Sequence, residues 1–179
     1  MISRDPSAPT PPPTGDKLKV IIVGAGIGGL LVSIGLRLDG HDVIVLEQAS
    51  TFGEVGAGMR LPPNSFKILH RWGIDLTYMK KTYSNGNRFL RYNDGKVLAH
   101  MPHGIPEWDF GGSYLMIHRS DYHAVLLEKA KELGVEIRAS SRVDEYDWEG
   151  PAAIVQGGLR VEGDLVVVAD GESHSQGVS

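Results

Sequence analysis

The chain has 179 residues, 41% of them hydrophobic and 22% charged, with a formal net charge of -4 and no cysteine. That length predicts one domain, two at most. The acidic balance advertises no basic surface for nucleic acid, and the lack of thiols excludes disulfides and thiolate metal sites.

Residues 1–17 carry Pro6, Pro9, Pro11, Pro12 and Pro13 and predict a disordered, proline-rich tail. They hold no apolar stretch of the secretory kind, so cytosol is the default location. Residues 19–23 (KVIIV) are a β-branched apolar run and predict a strand. Gly24-Ala25-Gly26-Ile27-Gly28-Gly29 follows at once, then a helix from Ile27 to about Leu38, closed by Gly40. Residues 41–46 predict a second strand that ends on Glu47. The uncharged run 20–36 is short for a bilayer and broken by glycines, so it reads as buried strand and helix rather than a membrane span.

This order builds a dinucleotide cradle. Gly24 allows the tight turn, Gly26 lets backbone approach a pyrophosphate, and Gly29 lets helix pack on sheet. The amides around Ile27 and Gly28, at the helix N-terminus, favour an anion. Glu47 can accept hydrogen bonds from an adenosine ribose, and it repels a 2′-phosphate. The bland alternative is a packing turn with no ligand.

Residues 53–60 form a glycine-rich loop, either a flexible connector or a segment lying flat against a ligand, with Arg60 as an available charge. A helix is expected over 64–72, with Phe66, Leu69 and Trp72 at helical spacing and Gly73 as its stop. Residues 87–100 predict a hairpin around Asn93-Asp94-Gly95. Residues 101–112 are irregular, and Trp108 and Phe110 there either line a pocket or cover a core edge. Residues 113–118 predict a strand running into Arg119. Ser120 is the expected cap of the next helix, whose stripe is Tyr122, Val125, Leu126, Ala130 and Leu133 and whose stop is Gly134. With a strand at 135–139, this predicts a second β–α–β unit, and it puts Arg119 at a strand end beside a helix N-terminus, a natural anion site, the alternative being a surface arginine paired with Asp121 or Glu128. A three-stranded meander is expected over 142–161, then a strand at 164–169 buried on both faces and ending in Asp170-Gly171. Residues 172–179 read as an unstructured tail. Seven histidines show no metal-ligand spacing, so no metal is expected.

Together these motifs resemble the N-terminal part of a group A FAD-dependent aromatic monooxygenase of the salicylate hydroxylase-like kind. The first fingerprint extends through Gly24, Gly26, Gly29, Leu36, Gly40, Val43, Val45 and Glu47, with Ser33 at a position where Ala or Gly is typical. Residues 53–64, including Gly58 and Arg60, are similar to the segment that passes the flavin ring. His118-Arg119-Ser120-Asp121 resembles the element whose arginine contacts FAD. Ala169-Asp170-Gly171 resembles the Asp-Gly fingerprint that supports FAD and NAD(P)H use. Val168 stands where Gly is usual, and residues 172–177 depart from the serine and basic stretch expected next.

The resemblance implies an α/β, Rossmann-like FAD/NAD(P)-binding three-layer domain over 18–171, with 84–112 part of a substrate-side sheet. It implies hydroxylation of a small aromatic or polyketide-like substrate with NAD(P)H and O₂, without nucleic acid or membrane partners. The family chain continues for roughly as long again, so this one reads as truncated and weakly active or inactive alone, with a second chain as a possible completion of the fold. No catalytic acid or base is assigned; His103, Tyr114 and His118 qualify by chemistry only. An NAD-dependent dehydrogenase and a non-catalytic flavin-binding pseudoenzyme fragment are the alternatives.

Overall fold

The computed structural model describes residues 15–52, 57–77, 79–83, 86–102 and 114–171. In chain order the elements are β1 (Lys19–Val23), α1 (Ile27–Leu38), β2 (Asp42–Leu46), β3 (Gly58–Leu61), α2 (Pro63–Arg71), β4 (Lys81–Tyr83), β5 (Asn87–Leu90), β6 (Val97–Met101) and β7 (Leu115–His118). After them come α3 (Arg119–Glu132), β8 (Glu136–Arg138), β9 (Val143–Asp147), β10 (Ala152–Val155), β11 (Leu159–Glu162) and β12 (Leu165–Val168). These residues fall into two compact units, one within Val55–Asp121 and one within Pro9–Glu54 together with Tyr122–Ser179.

The second unit is built on a parallel sheet in the order β12-β1-β2-β8. Val20 pairs with Val43 and Val23 with Leu46, so paired residues, and every second residue from them, share a face. Ile21, Val23, Ile44 and Leu46 face the antiparallel meander β11-β10-β9, where Val143, Ala153, Val155 and Val161 close one core. Val20, Ile22, Val43 and Val45 take the opposite face, and α1 lies against β1 and β2 with Leu30 and Ile34 fully buried. The result is helix, parallel sheet and meander in three layers, a Rossmann-like α/β domain. Burial on both faces is why β1 is apolar without alternation.

All three predicted glycine stops hold. Gly40, Gly73 and Gly134 have φ of 91°, 65° and 77°, which favours a residue without Cβ. The amides that follow close each helix: His41 N–H donates to the Leu36 carbonyl, Ile74 to Leu69 and Val135 to Ala130, each at 3.0 Å.

The other unit holds the antiparallel sheet β3-β7-β4 and the hairpin β5-β6. Phe89, Leu90, Val97 and Leu98 of the hairpin are more than half exposed.

Several expectations need correction. Residues 58–60 are not loop but part of β3, whose backbone pairs with β7 and buries Leu61 opposite Leu115. Backbone pairing does not require β-forming side chains, so glycine-rich composition hid this strand, and the three-residue β4 was missed as well. There is no second β–α–β unit in one sheet: β7 joins the antiparallel sheet and β8 the parallel one. Ser120 is not the cap, because α3 starts at Arg119 and the Ser120 hydroxyl lies 2.6 Å from His118 Nδ1. The buried stripe of α3 takes His123 and Leu127 in place of Val125 and Leu133. β12 is an edge strand with Leu165 and Val168 nearly half exposed, not one covered on both faces, since an apolar run alone does not tell an edge from a centre. Residues 53–56, Trp108, Phe110 and His103 lie outside the described residues. Among those described, no helix is long and apolar enough to cross a membrane.

Candidate functional site

The glycine turn joins β1 to α1, and its glycines are required for different reasons. Gly24 has φ +102°, and a Cβ there would meet the Ala169 carbonyl oxygen at 2.5 Å. At Gly29 a Cβ would collide with the Gly24 carbonyl oxygen. These two glycines let strand, helix and the 169–170 segment touch. Gly26 differs. Its backbone is ordinary (φ −66°, ψ 177°), and a Cβ there would meet nothing within 4 Å among the described residues. Neither conformation nor protein packing asks for glycine at this position. What a side chain would occupy is the space in front of the helix N-terminus.

That terminus is open. Gly26 is the N-cap, no side chain caps α1, and its first turn carries no acidic residue. The N–H groups of Ile27, Gly28 and Gly29 therefore stand at the positive end of the helix dipole without an intrahelical acceptor.

Glu47 closes the site from the tip of β2. Its carboxylate accepts the Ala25 N–H at 2.7 Å and the Ala49 N–H at 2.8 Å. Its backbone is held too, by the Arg138 carbonyl at 2.9 Å and the Ser141 N–H at 2.7 Å. Two backbone donors fix a carboxylate that still has lone pairs to offer.

Asp170 completes this side. β12 brings Ala169 against Gly24, so the glycine turn and the Asp-Gly segment meet in space. Tyr146 of β9 donates its hydroxyl hydrogen to Asp170 Oδ2 at 3.1 Å and packs on Trp148, with ring centroids 5.2 Å apart. Sequence reasoning missed Tyr146, although an aromatic in a meander strand carries a polar tip that needs a partner when buried.

Burial, together with the Asp170 charge and hydrogen bond, pushes the Tyr146 phenol above its ordinary 10.0. Burial pushes Tyr122 up to about 12. The folded chain thus keeps these protons to higher pH than the unfolded chain. The stabilisation is fully present below about pH 10 and is lost as pH rises above it. Tyr146→Phe cannot titrate, so urea unfolding of that variant is expected to show a shallower loss of stability above about pH 10. An unchanged slope would remove Tyr146 from this account.

Comparison with known proteins matches this architecture. Residues 17–177 match the family model described as an FAD binding domain. The chain belongs to this FAD binding domain family. It is 35% identical over 167 residues to the FAD-dependent monooxygenase OpS4 of Beauveria bassiana (strain ARSEF 2860), covering 87% of this chain and 38% of that protein. It is 37% identical over 160 residues to 3-hydroxybenzoate 6-hydroxylase 1 of Aquipseudomonas alcaligenes, covering 85% and 40%. A solved structure of a mutant 2-methyl-3-hydroxypyridine-5-carboxylic acid oxygenase superposes with a TM-score of 0.74 at 27% identity, covering 88% of this chain and 40% of that one. The chain therefore spans about 40% of the length of these relatives.

The residues expected to hold FAD have the chemistry the cofactor asks for. Among the described residues nothing stands within 4 Å of where a Gly26 Cβ would be, which would leave a diphosphate room to reach the amides of Ile27 and Gly28, and the Glu47 carboxylate could accept from ribose hydroxyls. Gly24, Gly26, Ile27, Gly28, Gly29, Glu47 and Asp170 share one unit. Gly58, Arg60 and Arg119 gather in the other. There Gly58 pairs with His118 across β3 and β7, and the Arg119 N–H donates to the Ala57 carbonyl at 2.9 Å. Arg60 is exposed and Arg119 half-buried. His118 is exposed, with its ring nitrogen on Ser120.

One residue at the glycine turn escaped the sequence reading. His123, on the buried face of α3, places Nε2 2.7 Å from the Ala25 carbonyl oxygen. The signal was available. Tyr122, Leu126 and Ala130 define a buried line, His123 and Leu127 stand one position along it, and a buried polar side chain needs a partner.

Proposed function

We propose that these residues are the nucleotide-holding part of a monooxygenase that hydroxylates a small aromatic acid. The overall change is NAD(P)H, a proton, O₂ and an aromatic C–H going to NAD(P)⁺, water and a phenol. FAD, when bound, passes two electrons from the nicotinamide to oxygen. The chain's own residues bind and orient it: the first-turn amides of α1 neutralise the diphosphate, Glu47 anchors the ribose, and Asp170 lies beside the turn. The open space at Gly26 carries this reading, because nothing among the described residues explains a glycine there. The substrate class is supported by the names of two relatives, one acting on 3-hydroxybenzoate and one on a pyridine-5-carboxylic acid.

Because the chain spans about 40% of these relatives, the hydroxylation of a whole enzyme is part of the proposal. The 179-residue chain is expected to bind FAD, seen as a change in flavin fluorescence. ADP should compete, whereas riboflavin, which lacks the diphosphate, should not. With NADPH and hydroxybenzoates we expect these 179 residues to give little phenol product, and any NADPH consumed to appear as hydrogen peroxide wherever reduced flavin is open to water. Folded protein that binds NADH but neither FAD nor ADP-competed flavin would replace this reading with a dehydrogenase.

A further inference from the structure

Two polar side chains are buried among the described residues, Ser33 and His123. Ser33 is accounted for locally, since its hydroxyl donates to the Leu30 carbonyl at 2.7 Å within α1. His123 is not local. It is 7% exposed, stands 98 positions from Ala25 along the chain, and is backed by Phe52 with ring centroids 6.4 Å apart. A carbonyl oxygen only accepts, so Nε2 carries the proton and donates to it.

Ala25 is thereby gripped on both sides, its N–H by Glu47 and its carbonyl by His123. The consequence falls on the next amide. No peptide bond in the described chain is cis, and in a trans peptide the C=O and N–H point in opposite directions. Fixing the Ala25 carbonyl on the buried imidazole aims the Gly26 N–H away from it. Glycine at 26 gives the ligand room, but it also gives the 25–26 peptide freedom to flip, since glycine accepts either sign of φ. A flipped peptide would turn its carbonyl dipole toward an incoming anion.

Resting on the nucleotide-binding reading above, we infer that His123 is a positioning residue for the diphosphate site. Its Nε2–H locks the Ala25–Gly26 peptide so that the Gly26 amide joins those of the first turn of α1 in facing the anion.

The test compares two unbranched replacements of similar length on the full chain, one with a donor and one without. His123→Gln is expected to keep FAD and ADP affinity within about 3-fold of wild type, and His123→Met to lose about 10-fold or more, the scale of one buried hydrogen bond. In wild type, addition of ADP should shift the Gly26 amide resonance, and in His123→Met that shift should shrink while the melting curve stays cooperative. Equal affinity in the Gln and Met variants overturns the inference. A measurement on wild type alone keeps it exposed if His123→Met does not fold: imidazole nitrogen resonances must show Nε2 protonated, and an unprotonated Nε2 overturns it. Wild-type protein that binds neither FAD nor ADP removes the nucleotide-binding reading instead, while the nitrogen resonances still report whether the clamp exists.

Discussion

Gly26→Val is expected to leave the fold nearly as stable as before and to weaken FAD binding by more than about 100-fold, the worth of two lost charge-assisted hydrogen bonds. The Cβ of the new side chain meets no described protein atom within 4 Å, and the backbone at 26 is one that valine adopts without strain. The only folding cost is a poorer N-cap, about 1 kcal/mol at most, because glycine is already a modest cap. Gly29→Val gives the contrast. There the Cβ runs into the Gly24 carbonyl, a backbone atom that cannot step aside without parting α1 from β1. Overpacking of that kind costs about 3 kcal/mol or more, so this variant should unfold early and lose FAD as a by-product. Thermal melts without ligand, followed by flavin titration, separate the two. A Gly26→Val chain that binds FAD normally would mean the space before the helix is not where the diphosphate goes.

The same contrast shows how far the sequence could be read. The pattern strand, glycines, helix, strand, acid is local, and each piece is fixed by neighbours a few residues away, so β1, α1, β2 and the three glycine stops fell where expected. That Gly24 and Gly29 serve the protein's own packing was also legible, because the motif's spacing gives each one a separate task. What failed was non-local. Gly58–Leu61 became a strand only because β7 offers it a partner, and β12 became an edge only because none of the described strands pairs on its far side. His123 and Tyr146 act on Ala25 and Asp170 across 98 and 24 positions, distances at which periodicity carries no information. That each needs a partner can be read locally, but which partner it finds shows only once the sheet has brought the two together.

Glu47→Ala is the second large effect, and it should strike folding and binding together. In the motif reading this carboxylate serves the ribose. In the structure it also holds the turn, by accepting the Ala25 and Ala49 amides. Ala25 is 2% exposed, so its N–H would be left without acceptor or water, at a cost of about 1–3 kcal/mol. For a domain of this size that lowers the melting temperature by roughly 3–9 °C. FAD affinity should fall by about 100-fold or more, because the ribose anchor and the peptide that positions the Gly26 amide are disturbed at once. Glu47→Gln is not a mild substitute. Its single amide oxygen satisfies one of the two backbone donors and presents an NH₂ to the other, so it should lie between wild type and alanine in both measurements. If Glu47→Gln melts with wild type and differs only in FAD titration, the two backbone bonds contribute nothing and Glu47 is a ligand anchor alone. If it falls in both, a single carboxylate is shaping the turn and holding the nucleotide, which explains why an acid is needed at the tip of β2 even before any ligand arrives.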